Sequence, residues 1–180
     1  TIHLGVDKTL ENTTYELLME ALPLSQVVMP TEIKGLDLAP SDKRLGRAEM
    51  ELSASKGYDR ESKLKLKIRD ATKYDFIIID TPPNLGFLTI NAMVSADIAI
   101  VPIPTEFYGI KGLSMILDLA KAISEDLNRD LRMKYLLTMY DRRTKMGKEV
   151  ITKIRDLLGE DTFNVIIPRS IKLAEAPSYG

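Results

Sequence analysis

The sequence has no cysteine and a single histidine. Without thiols the chain forms no disulfide, ligates no iron–sulfur cluster and builds no thiolate zinc site. His3 has no second histidine or cysteine to join it, so it reads as an ordinary N-terminal residue rather than a metal ligand. No apolar run approaches the ~20 residues needed to span a bilayer. Residues 1–8 have neither the basic start nor the apolar stretch of a secretion signal. A cytoplasmic protein is the simplest expectation from these absences. Charge of one sign is also lacking: the formal net charge is −1, so nucleic-acid binding would have to come from a local basic patch. There is no internal repeat and no low-complexity tract.

The composition is that of an ordinary globular protein, 44% hydrophobic and 28% charged over 180 residues, enough for one domain with a substantial core. Short apolar runs alternate with segments of helical period, the pattern of βαβ units and a parallel sheet. Thr13 followed by Glu16 is a capping box opening a short helix, and Pro23 and Pro30 punctuate the stretch beyond it. Residues 36–38 read as a short strand and residues 44–52 as a helix. Residues 59–72 are ambiguous, since Lys63-Leu64-Lys65-Leu66-Lys67-Ile68 alternates like a strand, yet Leu64, Ile68 and Ala71 share a helix face, and the stretch is expected to be a helix. Asp59 can cap that helix, and its lysines read as a solvated face.

Residues 76–79 and 98–103 are expected to be strands covered on both faces, with a helix over 88–95 between them. A helix over 111–127 carries Leu113, Ile116, Leu117, Ala120, Ile123 and Leu127 on one stripe. A strand at 135–139, a helix at 144–158 and a strand at 165–167 ended by Pro168 complete the chain. The second helix has a core face of Val150, Ile151, Ile154, Leu157 and Leu158, and Gly159 is its C-cap.

The segment that carries chemistry is Phe76-Ile77-Ile78-Ile79-Asp80-Thr81-Pro82-Pro83-Asn84-Leu85-Gly86. A carboxylate closing a buried parallel strand sits where open α/β sheets bind ligands. Burying it ionised costs several kcal/mol unless a cation or donors compensate. The two prolines end the sheet and stiffen the loop. Such an acid can hold the water shell of Mg²⁺, while the loop and Gly86 offer amides to a terminal phosphate. On four apolar residues and an aspartate alone, a simple helix cap would serve as well; the double proline makes the string specific.

That string resembles the Walker B and switch II segment of the deviant-Walker-A ATPases, which include ParA/Soj, MinD and the nitrogenase iron protein. The ParA/Soj branch is favoured by Leu88-Thr89-Ile90-Asn91-Ala92 and by the run from Val101 to Tyr108. Residues 136–141, Ile167-Pro168-Arg169 and 173–180 match it in the same order. The resemblance implies a P-loop NTPase-like α/β domain, a mainly parallel sheet with helices on both faces, truncated at both ends. It implies ATP and Mg²⁺ as cofactors, with Asp80 the catalytic and metal-supporting acid. Nucleotide contacts are implied at Thr81, Pro82, Gly86, Met139, Asp141, Pro168 and Arg169. Arg143 and Lys172 match the family's two basic positions for sequence-independent DNA binding, a salt-sensitive contact to phosphates. Lys172 stands where arginine is common, which keeps the charge and loses the bidentate fork. Glu106 is a lone acid after an apolar strand, able to approach ribose or a second subunit or simply to face solvent.

No Gly-Lys-Ser/Thr phosphate loop occurs in the sequence. Together with a start at Thr1 and a stop at Gly180 after loop-like Pro177-Ser178-Tyr179, this is expected of a fragment. Residues 1–180 would be one incomplete ATPase domain, lacking the Walker A and switch I segments and the C-terminal helix, and inactive alone. The intact protein is expected to be a DNA-partition ATPase that dimerises on ATP and binds DNA nonspecifically. It would be switched by a centromere-binding, ParB-like partner, cytoplasmic and nucleoid-associated, without membrane contact. The alternatives are a MinD-like membrane-associated division-site regulator, which needs a C-terminal amphipathic helix, and a non-enzymatic adaptor whose phosphate loop is truly absent.

Overall fold

In a computed structural model, residues 10–20, 22–57, 59–105, 109–127 and 131–175 are described. The readings made for His3, Glu106 and residues 176–180 lie outside the described residues. The chain divides into two compact units, Thr1–Ser95 with Glu175–Gly180, and Ala96–Ala174.

In the first unit the capping box forms as the sequence predicts. Helix α1 (Thr14–Met19) starts where the Thr13 hydroxyl accepts the Tyr15 N–H and the Glu16 carboxylate accepts the Thr13 N–H at 2.8 Å. The helix buries Leu17 and Leu18. Buried Glu16 also meets the Arg44 guanidinium, which is held by Asp42 at 2.8 Å and lies 5.7 Å over the Tyr15 ring. Burial alone would raise the Glu16 carboxyl. The Thr13 hydroxyl and amide and the Arg44 charge outweigh it and hold the group below the ordinary glutamate value. A depressed carboxyl gives stability that is present above the unfolded pKa and lost as pH falls through the folded one. Glu16→Gln keeps a capping acceptor but leaves Arg44 without its buried anion. It is expected to cost about 2 kcal/mol at neutral pH in urea unfolding, with the difference from the parent shrinking under acid.

Helix α2 (Leu24–Val27) follows Pro23, and strands β1 (Met29–Pro30) and β2 (Asp37–Leu38) form an antiparallel ribbon. Their turn places Gly35 at φ 83°, a left-handed conformation that side chains disfavour. Helix α3 (Leu45–Ala54) buries Ala48 and Leu52. The Lys-Leu repeat resolves as helix α4 (Lys63–Ile68). Its lysines are not all solvated: Lys67 Nζ donates to the Glu20 and Leu22 carbonyls at 3.1 and 3.3 Å. Helix α5 (Phe87–Ser95) closes the unit.

The buried strand expected at residues 76–79 does not form. These residues belong to neither sheet, and Phe76 and Ile78 are 86% and 91% exposed. A β-branched apolar run becomes a strand only when a neighbour supplies its hydrogen-bonding edge, and no described strand does so.

The second unit is a parallel sheet in the order β3 (Ile98–Pro104), β4 (Arg132–Tyr140), β5 (Thr162–Pro168). Ile98 pairs with Arg132 and Pro104 with Thr138. Helix α6 (Gly109–Asp126) crosses from β3 to β4, and helix α7 (Lys145–Leu158) from β4 to β5. Two successive crossovers of the same hand, stepping the same way, put both helices on one face. The core lies there: Val101, Ile103, Tyr135 and Leu137 from the sheet meet Leu113 of α6 and Val150 and Ile154 of α7. Leu157, expected in this core, is exposed because it projects about 60° from Ile154 around the helix, away from Ile151 and Leu158. A 3₁₀ turn at Gly159–Asp161 precedes β5, and helix α8 (Ile171–Glu175) follows it. Among the described residues no helix is long and apolar enough to cross a membrane.

Candidate functional site

The candidate residues fall into two groups, one in each unit. In the first, Asp80 is exposed, and its carboxylate meets no donor or cation among the described residues. Among those residues no cluster of three acids or histidines could hold a metal by itself. A cation at Asp80 would therefore have one protein carboxylate and take the rest of its shell from water and phosphate oxygens, an arrangement that suits Mg²⁺. The loop after Asp80 folds on itself: Asn84 N–H donates to the Pro82 carbonyl at 2.8 Å, and Thr89 Oγ1 donates to the Asn84 carbonyl at 2.6 Å. Pro82 and Pro83 have no amide to offer. Among the described residues the Thr81 and Leu85 amides meet no acceptor, so they remain open to an anion.

The second group lies along the carboxyl ends of the parallel strands, the edge where such sheets bind ligands. Thr105 N–H donates to the Thr138 carbonyl at 3.0 Å, tying β3 to β4. Tyr140 is in register with Pro168, and Arg169 N–H donates to the Tyr140 carbonyl at 3.1 Å. This brings Met139 and Asp141 beside Pro168 and Arg169. Met139 has φ 55°, and the β4–β5 register shifts between Leu137 and Tyr140. A left-handed methionine costs roughly 1–2 kcal/mol, so the rim is held in a conformation its side chain does not favour.

One feature of this rim was not legible in the sequence. Asp141 grips Arg143 as a fork, with Oδ1 accepting from Nε at 3.0 Å and Oδ2 from Nη2 at 2.7 Å. Its Oδ1 also accepts the Arg143 backbone N–H at 3.0 Å. These bonds, with the charges of Arg143 and Arg169, hold the Asp141 carboxyl down at about 2. The carboxylate is thus committed to Arg143, and what this position offers a nucleotide is backbone and shape. Only the spacing of an acid and a base two residues apart hinted at it.

Beyond the fork, the Thr144 hydroxyl caps α7 by accepting the Gly147 N–H at 3.2 Å. A Cβ at Gly147 would sit 3.2 Å from the Tyr140 ring, so the helix start is pressed against the end of β4. Arg142, Arg143, Lys145 and Lys148 are exposed there, and Lys172 is exposed on α8.

A family model described as an AAA domain matches residues 1–133 of this chain. The chain is 36% identical to the sporulation initiation inhibitor protein Soj of Bacillus subtilis, over 100% of this chain and 72% of that protein. It is 37% identical to the chromosome partitioning protein ParA of Myxococcus xanthus, over 98% of this chain and 63% of the relative. The fold superposes on cobyrinic acid a,c-diamide synthase from Mycobacterium smegmatis, solved with ADP and magnesium. That match has a TM-score of 0.84 and 30% identity, covering 99% of this chain and 73% of the other.

Proposed function

The chain belongs to the ParA/Soj-type partition ATPases of the MinD/ParA superfamily, and from that premise we propose that the whole protein is an ATP-switched DNA-segregation protein. The observation that carries the proposal is the uncommitted Asp80 carboxylate, followed by a proline-stiffened loop with open amides at Thr81 and Leu85. In this reading Asp80 supports Mg²⁺ through its water shell, and residues 81–86, with Gly86 at their end, sense the terminal phosphate. When bound, the metal neutralises charge on the phosphate oxygens. The Met139–Asp141 and Pro168–Arg169 rim receives the base through backbone groups.

With ATP, two copies pair, Arg143 and Lys172 meet DNA phosphates without reading bases, and a centromere-binding partner triggers release. The protein works in the cytoplasm on the nucleoid. Full-length protein is expected to retain random-sequence DNA with ATP and Mg²⁺, to release it with ADP, and to lose it steeply as salt rises. A protein that neither hydrolyses ATP nor changes its DNA affinity with nucleotide would overturn the proposal.

A further inference from the structure

Glu49 stands in the middle of α3, yet its carboxylate reaches out of that helix to the start of α5. Oε1 accepts the Phe87 N–H at 2.6 Å and Oε2 accepts the Leu88 N–H at 3.0 Å. These are the first two amides of α5, donors that a helix cannot satisfy from within. A negative charge at this end is also favoured by the helix dipole.

The same carboxylate explains Gly86. A Cβ there would land against Glu49 Oε1 and 2.7 Å from Cδ, so any side chain would expel the carboxylate from the amides. The requirement is close approach rather than backbone conformation. The rest of the turn is fixed as well: the Arg60 guanidinium lies 4.7 Å over the Phe87 ring. Asn91, only 1% exposed, donates to the Phe87 and Arg60 carbonyls at 2.9 and 2.7 Å and accepts the Leu64 N–H at 3.1 Å.

We propose that Glu49 is a positioning residue for the nucleotide-sensing loop. By clamping residues 86–88 from α3, it anchors the far end of the segment whose near end is Asp80. The Thr81 and Leu85 amides are thereby presented in one place rather than several. Glu49 touches no reacting atom in this scheme. The proposal rests on the reading of residues 81–86 as a phosphate sensor.

In the full-length protein, Glu49→Ala is expected to speed hydrogen exchange at the Phe87 and Leu88 amides roughly tenfold, the scale of losing hydrogen bonds to a charged acceptor. It should lower kcat for ATP several-fold more than it raises KM, because a loosened loop loses transition-state positioning before it loses substrate. Glu49→Gln keeps one carbonyl oxygen and should recover part of both losses. Gly86→Ala should reproduce Glu49→Ala, and the double variant should be no worse than either single one. Unchanged exchange at those two amides in Glu49→Ala overturns the clamp. Faster exchange with an unaltered kcat overturns the positioning role and leaves a plain helix cap. A parent protein without ATP turnover overturns the sensor reading itself, while the amide measurement still decides whether Glu49 clamps α5.

Discussion

Asp80→Asn in the full-length protein is expected to reduce Mg²⁺-dependent ATP turnover by roughly 100- to 1,000-fold, the usual scale for removing one charge that acts on a phosphoryl transition state. Solvation separates this effect from stability. Asp80 is exposed and makes no hydrogen bond or ion pair among the described residues, so it contributes little to folding. Its replacement by a near-isostere should change stability by no more than about 0.5 kcal/mol. Loss of activity therefore reports on the site and not on the fold. Asparagine keeps the shape and one acceptor oxygen but brings no charge to a hydrated magnesium ion. The apparent affinity for Mg²⁺ in the presence of ATP should weaken along with kcat. Asp75→Asn, at another exposed acid in the same stretch, serves as the control and should behave like the parent. If Asp80→Asn hydrolyses ATP at the parent's rate across a magnesium titration, the acid has no catalytic part and the proposed function loses its main support.

How far the sequence predicts this structure depends on how local each cause is. The Thr13–Glu16 capping box spans four residues, and it forms with both of its bonds. Helices α6 and α7 follow from apolar periodicity, which a short window captures, and strand β3 from a continuous apolar run. Ile98 and Ile100, expected to be covered, are 45% and 56% exposed because the helices pack on the other face. Residues 76–79 show where that reasoning stops. Their composition is that of a buried strand, but a strand is a property of a pair, and the described chain holds no partner for it. Helix α2 and strand β1 leave no signal in the sequence, because four and two residues are too few to show a period. The site behaves in the same way. Met139, Asp141, Pro168 and Arg169 share one rim because parallel strands share a carboxyl edge, whereas Asp80, expected on that edge, closes no strand among the described residues. Glu49 could not be linked to Phe87, since 38 residues separate them and no periodicity connects an acid on one helix to the amides of another.

The Asp141–Arg143 fork gives two opposite expectations for DNA binding. Arg143→Ala with Lys172→Ala should weaken ATP-dependent retention of nonspecific DNA by roughly one to two orders of magnitude per protomer, and flatten the salt dependence by about one unit of slope for each lost phosphate contact. Asp141→Asn should act the other way. In the parent, the Arg143 guanidinium is already held at 3.0 and 2.7 Å by the Asp141 carboxylate, so a DNA phosphate must displace that partner before it can use the fork. Asparagine retains an oxygen for the Arg143 backbone N–H and so preserves the turn before α7, but it gives up the charge that competes with phosphate. Retention should therefore rise several-fold, with most of the gain at low salt where exposed charges are least screened. Acid offers no substitute for the mutation. Because the Asp141 carboxyl is held at about 2, its interaction with Arg143 is complete above the ordinary aspartate value and is lost only as pH falls through that depressed value. Between about pH 5 and 8 the parent's retention should thus show no titration from this pair. Equal retention by Asp141→Asn and the parent would mean that Arg143 reaches DNA without leaving Asp141. Equal retention by the double alanine variant and the parent would place the DNA-binding surface elsewhere on the molecule.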